Sequence, residues 1–340
     1  MTGPAPRLHY VDDSRPGITR KRQGRYWQYF DAKGRRIADR DEIERLNAIG
    51  LPPAYRDAWF CPSPNGHIQA IGYDDKGRKQ YRYHPDFRDR QEAAKYDRCR
   101  DFGKTLPKLR KRVEADLRKR ALSRDVVVAA IVRLLDTGRI RVGNEAYAQA
   151  NKSYGATTLR NRHARVAGRT VKMRFKAKSG IERELSITDS SLSRIVRRCQ
   201  DLPGQHLFQY VNGDGEAHPV SSTDVNDYIR AATGEDFTAK HFRTWSASVI
   251  AFEQICAAGD EGVGLNAMIE PVAEALGNTP AISRKSYVHP ALIEAVKAAP
   301  SRRLGLQCPR PTKYLSSAER GLIAFLGKAG RKRSRKNRTG

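Results

Sequence analysis

The chain is poor in sulfur and has no paired thiols. Its five cysteines, Cys61, Cys99, Cys199, Cys256 and Cys308, are odd in number, far apart and never in a C-x-x-C arrangement. That argues against a zinc site and for reduced thiols in a cytosolic compartment. Long apolar runs are missing too. No stretch reaches the roughly 18 residues of a spanning helix, and the first ten residues, MTGPAPRLHY, have no apolar core like that of a secretory signal. A cytoplasmic protein with no membrane partner is expected. There is no G-x-x-x-x-G-K-[ST] loop to cradle a nucleotide, no H-E-x-x-H and no carboxylate cluster suited to magnesium, so no metal or other cofactor is expected.

Acid is also scarce relative to base. Lys plus Arg is 64 and Asp plus Glu is 37, so the net charge is 64 − 37 = +27, far more than solubility requires. The basic residues are spread through segments that read as folded, which favours nucleic acid over an acidic membrane as the polyanionic partner. With 340 residues, 39% of them hydrophobic, the chain can bury a real core in one large or two modest domains.

From Tyr26 to Tyr83 short aromatic-rich runs alternate with Gly-containing turns, which predicts strands. One helix interrupts them, DEIERLNAI from Asp41, closed by Gly50 and Pro52. From Asp86 onward helical patterns dominate. Arg88 to Arg120 is dense in charge and predicts a linker with exposed helices, whereas Asp125 to Leu135 is apolar nearly all round and predicts a helix buried in a bundle. A period of two returns at Val171, Met173 and Phe175 and again at Ile181, Leu185 and Ile187, so a β-hairpin is expected with Gly180 in its turn and Lys178 at its tip. Later helices are opened by Ser221 as a capping box and run from about Thr238 to Ile255. The last twelve residues, AGRKRSRKNRTG, carry no acid and predict a flexible arm. The expected fold is therefore α+β: a β-rich domain over 1–87, a larger helical domain containing the hairpin over 88–304, and a basic flexible tail over 305–340.

The chemistry-bearing residues fall in separate blocks. DTGRIRVGNEAY (136–147) places Arg141 just after a Gly turn that ends the buried helix, and AKHFRTW (239–245) places Lys240 and Arg243 three apart, on one predicted helix face. LGNTPAISRKSY (276–287) ends a helix, leaves Asn278 in a loop and puts Tyr287 nine positions later. Singly, such an arginine is a solvated charge and such a tyrosine covers core. Two arginines, a lysine, an amide and a tyrosine together are what a metal-free enzyme needs to break and remake a phosphodiester. Fixed positive charge meets the charge on the phosphate oxygens, and the phenol oxygen holds the broken end.

With these blocks in order, the chain from about Tyr26 to Lys297 resembles the small bacterial and poxvirus type IB DNA topoisomerases. The resemblance implies that Arg141, Lys178, Arg243, Asn278 and Tyr287 are catalytic. Arg141 and Arg243 would grip the phosphate, Lys178 would be the general acid and Tyr287 the nucleophile. Poxvirus members carry histidine where this chain has Asn278, an amide that donates a hydrogen bond but cannot titrate. Gln80, Tyr81 and Tyr83, in QYRY, match a segment that touches bases in the major groove, and Tyr147 and Lys240 are further expected DNA contacts. The alternative for the two strand tyrosines is that they pack a helix on one sheet face. The family pattern further implies a compact monomeric clamp on duplex DNA and a 3′-phosphotyrosyl intermediate. It also implies relaxation of supercoils of both signs without ATP or metal.

Two other readings compete. A tyrosine recombinase shares the Arg, Lys, Arg and Tyr set but usually has H-x-x-R where this chain has Lys240 and Arg243. A non-enzymatic architectural DNA binder would need only the charge of +27 and the basic tail.

Overall fold

The computed structural model describes residues 7–75, 77–259, 261–298, 306 and 308–336, without the side chains of 92, 93 and 331–336. The chain divides into two compact units, one ending at Lys95 and the other beginning at Tyr96. This division falls beyond the expected boundary at 87. A helix runs without interruption from Pro85 to Asp97, so there is no linker at that point.

The first unit is an antiparallel sheet of β1 (Ile18–Gln23), β2 (Tyr26–Phe30), β3 (Arg56–Phe60), β4 (Ile68–Tyr73) and β5 (Lys79–Tyr83), in the order β2-β1-β3-β4-β5. Helix α1 (Arg40–Ala48) is capped by Asp39, whose carboxylate accepts the Asp41 N–H, and stops before Gly50 at φ +64°, the stop its sequence predicts. Leu46 of α1 joins Ile18, Tyr29, Leu51, Phe60 and Ala70 in one small core, and the Tyr29 hydroxyl donates to Asn47 Oδ1 at 2.8 Å. Strand β5 lies at a sheet edge, so its side chains are mostly exposed.

The second unit is mainly helical. After α2 (Pro85–Asp97), all but the last two residues of which belong to the first unit, come α3 (Cys99–Leu117), α4 (Arg124–Gly138) and α5 (Glu145–Asn151). A three-stranded sheet follows: β6 (Ala164–Ala167), β7 (Thr170–Lys176) and β8 (Glu182–Thr188), ordered β6-β7-β8. The chain continues through α6 (Ser190–Gln200), the short pair β9 (Gln209–Val211) and β10 (Ala217–Pro219), α7 (Ser222–Thr233), α8 (Ala239–Ala257), α9 (Leu265–Leu276), α10 (Pro280–Ser286), α11 (Pro290–Ala298) and α12 (Ser317–Lys336). The predicted hairpin is β7–β8, with Met173 opposite Leu185 and Val171 opposite Ile187. Ser221 caps α7 through the reciprocal box with Asp224.

Helix α4 is buried from Val126 to Val132 and again at Leu134 and Leu135, as its all-round apolar sequence requires. Helix α3 departs from expectation. Phe102, Leu106, Leu109, Val113 and Leu117 recur at helical spacing and are buried against α4, so this charge-rich segment is core rather than linker. Its charges, apart from the buried Asp116, sit on the other faces and hid the stripe.

The tail departs more. Instead of a flexible arm, α12 packs Ala318, Leu322 and Leu326 into the main core. Its entry is held by a buried charge network. The Arg110 guanidinium donates to both oxygens of Asp136 (2.7 and 2.8 Å) and both of Glu319 (2.9 and 2.7 Å), while Trp245 Nε1 donates to Glu319 Oε1 at 3.0 Å. Pairing on every side is what makes a buried guanidinium tolerable. The basic side chains Arg331, Lys332, Arg333, Arg335, Lys336 and Arg338, on which the expectation of an arm rested, lie outside the described residues.

Candidate active site

The C-terminal turn of α9 organises the site. A helix leaves its last four carbonyls without helical partners, and here each finds one nearby. Ala273 O accepts the Asn278 N–H at 3.0 Å and Glu274 O accepts the Gly277 N–H at 3.1 Å. Glu274 O and Ala275 O accept Arg183 Nη1 and Nη2 at 3.0 and 2.8 Å. Leu276 O accepts Arg243 Nη2 at 3.1 Å. Gly277 is the left-handed cap, φ +59°, as LGNTP predicts.

Arg243 projects from α8 and is only 4% exposed. Its Nη1 donates at 2.6 Å to the carbonyl of Arg139, the residue that ends α4. The buried cation thus bridges the negative ends of two helices, α4 and α9, which offsets part of its desolvation. Burial still pulls its pKa down to about 10, and the neighbouring Arg141 charge acts in the same direction. Lys240, three residues earlier, is exposed, so the two side chains do not share an environment as their spacing suggested.

Arg141 lies in the loop between α4 and α5. The turn before it closes on Arg139, at φ +55°, and not on Gly138, which is the last residue of the helix. Backbone from 155–158 holds the loop: Ala156 N–H donates to Arg141 O at 2.9 Å and Thr157 N–H to Val142 O at 2.7 Å. Gly155 comes so close that a Cβ there would stand 2.6 Å from both Arg141 O and Gly143 N. Asn144 caps α5 by accepting the Tyr147 N–H. From this frame Arg141 Nη2 donates to Asn278 Oδ1 at 2.9 Å.

Tyr287 sits at the end of α10, its N–H on Ser283 O at 3.1 Å. The segment is pinned on both sides: the Tyr96 hydroxyl donates to Lys285 O at 3.4 Å and the His289 N–H to Ser248 Oγ at 3.1 Å. The ring is half-buried, with the Arg243 guanidinium 4.8 Å from its centroid. Burial alone would push the phenol up. The Arg243 and Arg141 charges, with hydrogen bonds from both, outweigh it and hold the phenol below its ordinary value.

Arg141, Arg243, Asn278 and Tyr287 are therefore brought together from four separate segments. Two buried donors in the cluster, Asn278 Nδ2 and Arg243 Nε, have no protein partner. Such orphans are costly, and here they sit among cations around a phenol, an arrangement suited to the oxygens of a bound anion. Lys178 is on the hairpin turn, exposed, as the first residue of a single turn to Gly180 in which Ser179 has φ +67°. It does not line the narrow crevice beside the cluster, although Phe175, Ala177 and Arg183 of the same hairpin do, together with Arg141 and Arg243.

Sequence reasoning missed Arg183. Its signal was available: position 183 falls in the same row as Leu185 and Ile187, the less exposed face of β8, and an arginine there breaks an otherwise apolar row. Among the expected DNA contacts, Tyr81 and Tyr83 are 41% and 45% exposed and stack on each other at 5.9 Å, and Tyr83 also stacks on Phe87 of α2 at 5.7 Å, so Tyr83 packs a helix while keeping an exposed face. Gln80 donates to Asp74 Oδ2 at 3.0 Å, and Tyr147 is half-buried on α5.

Residues 84–301 match the family model for the catalytic core of eukaryotic DNA topoisomerase I, and residues 26–74 match that for the N-terminal domain of bacterial DNA topoisomerase IB. DNA topoisomerase 1B of Acanthamoeba polyphaga mimivirus is 32% identical over 80% of this chain and 85% of its own. DNA topoisomerase 1B of vaccinia virus (strain Copenhagen) is 21% identical over 67% of this chain and 72% of its own. A solved XerH site-specific recombinase, bound to palindromic difH substrate in a post-cleavage complex, overlays with a TM-score of 0.36 at 17% identity, covering 56% of this chain and 50% of its own. The chain belongs to the type IB DNA topoisomerase family and is an enzyme of that class.

Proposed function

We propose that this topoisomerase relaxes positive and negative supercoils by cutting one strand, holding its 3′ end on Tyr287 and resealing it. The observation that carries the reading is the gathering of Arg141, Arg243 and Asn278 at the Tyr287 phenol, with Asn278 Nδ2 and Arg243 Nε still lacking partners. Arg141 and Arg243 bind the non-bridging oxygens of one phosphate, and Asn278 adds an uncharged donor. The Tyr287 phenol, which ionises more readily than usual, loses its proton to water as its oxygen attacks phosphorus. As the bond to the 5′ oxygen breaks, the Lys178 ammonium protonates that oxygen, leaving a 5′ hydroxyl and a 3′-phosphotyrosyl bond.

One phosphodiester has been exchanged for another, so resealing by the reverse steps needs no nucleotide. Fixed guanidinium charge does the work a metal ion would otherwise do, and the reaction proceeds without either. Duplex DNA is the substrate of both units, with Tyr81 and Tyr83 of the first and Tyr147 and Lys240 of the second as contacts. The working enzyme is a cytoplasmic monomer.

The test is relaxation of a supercoiled plasmid carrying no defined crossover site, in chelator and without ATP. Wild type relaxes both signs of supercoil, and Tyr287→Phe binds DNA but neither relaxes it nor forms an adduct. Relaxation by Tyr287→Phe would remove the nucleophile from the scheme, and a requirement for paired sites would favour a recombinase.

A further inference from the structure

Arg183 does something that none of the five expected catalytic residues does: it ties the Lys178 hairpin to the helix end that carries Asn278. It sits on β8 directly opposite Phe175 of β7, one pair from the last rung, Lys176 opposite Glu182. Beyond that rung the turn is closed tightly, Ala177 N–H to Ile181 O at 2.7 Å and Gly180 N–H to Ala177 O at 3.0 Å. The tip holding Lys178 is therefore a short, hydrogen-bonded extension of the strands, and whatever fixes residue 183 fixes the base of that tip.

Both ends of the Arg183 fork are engaged, on Glu274 O and Ala275 O, a planar two-point grip that a lysine cannot reproduce. The close approach also demands a glycine at 277, since a Cβ there would lie 2.9 Å from Arg183 Cδ and Nη1. Burial and the nearby Arg141 and Arg139 charges lower the Arg183 pKa, so a cation is held here against both desolvation and repulsion. An apolar side chain would fill this row without that cost.

We propose that Arg183 is a positioning residue that latches the β7–β8 hairpin onto the C-terminal turn of α9. It thereby sets the place of Lys178 relative to Arg243, Asn278 and Tyr287. The inference rests on the reading of Lys178 as the acid that protonates the 5′ oxygen. Arg183 acts through Lys178, because both ends of its fork are engaged on backbone carbonyls.

The experiment compares Arg183→Met, which keeps the stem and removes the fork, with wild type in single-turnover cleavage of two duplexes. One has the normal bridging 5′ oxygen, and the other has sulfur there, a leaving group that needs no acid. Displacing a catalytic group by about 1 Å costs on the order of 10²-fold, so Arg183→Met should cleave the oxygen duplex about 10²-fold more slowly and the sulfur duplex at close to the wild-type rate. Arg183→Lys, reaching one carbonyl, should fall between, and it replaces Arg183→Met if that variant melts near assay temperature.

Equal loss on both duplexes would overturn the proposal and make Arg183 part of the phosphate-binding charge. Wild-type cleavage of both would leave it no role. If wild type itself forms no adduct, the functional reading fails. The latch is then judged on the free protein: hydrogen exchange at 177–181 should quicken at least tenfold in Arg183→Met, and unchanged exchange would refute it.

Discussion

Asn278 gives the sharpest test of how the site works, because its two ends do different things. Oδ1 accepts from Arg141 at 2.9 Å, while Nδ2 is buried with nothing to donate to. If Nδ2 is aimed at a phosphate oxygen, Asn278→Ala removes one preorganised donor and loosens one anchor of Arg141. Loss of a single such donor costs about 10²–10³ in rate, ~2.7–4 kcal/mol. Asn278→Asp keeps the acceptor for Arg141 but replaces the donor with an anionic oxygen facing the phosphate, so it should be slower still than alanine. Because an amide does not titrate, the pH profile of the alanine variant should parallel that of wild type, whereas Asn278→His should acquire a new inflection in the histidine range. The assay is single-turnover cleavage of a duplex at saturating enzyme across a range of pH. An alanine variant within twofold of wild type, or an aspartate variant faster than alanine, would refute the assignment of Nδ2 to the phosphate.

Three further outcomes follow from the same geometry. The Tyr287 phenol is held below its ordinary value by Arg243 and Arg141, so the folded protein favours the tyrosinate. Any stability from this appears only as pH rises through the folded pKa and is complete above the unfolded value of about 10. Arg141→Ala should move the titration upward, read by NMR on ring-labelled tyrosine with Tyr287→Phe as the reference, since 14 tyrosines overlap; a downward move would reverse the electrostatic argument. Gly155→Ala puts a Cβ 2.6 Å from two backbone atoms of the Arg141 loop, and the forced shift should slow cleavage by about 10²-fold, whereas an unchanged rate would mean the loop's place is immaterial. Leu322→Ala, at a fully buried position of α12, should cost about 2–5 kcal/mol in denaturant unfolding, and no loss would restore the flexible tail.

What could be read from sequence was whatever local pattern dictates. The Gly50 stop of α1, the cap at Ser221, the all-round apolar α4, the alternation in β7 and β8 and the LGN stop of α9 are each set by neighbours within a few residues, and each appears where expected. The blocks around Arg141, Arg243, Asn278 and Tyr287 were legible as chemistry because their residue types only make sense together. What failed was long-range. The buried stripe of α3 is diluted by charge, and α12 is anchored through Arg110 and Trp245, which no window around residue 319 contains. Gly138 looked like the turn residue, but it is the last residue of the helix and the left-handed step falls on Arg139. Arg183 was overlooked because its partners are carbonyls 91 and 92 residues away.

The most direct measurement is to quench the enzyme with denaturant during its reaction with a nicked-strand-labelled duplex, digest the protein and sequence the peptide that carries DNA. The account predicts one adduct, on the Tyr287 oxygen, joined to the 3′ phosphate with a free 5′ hydroxyl on the other fragment. A peptide from elsewhere in the chain, a 5′ linkage, or an adduct that persists in Tyr287→Phe would contradict it.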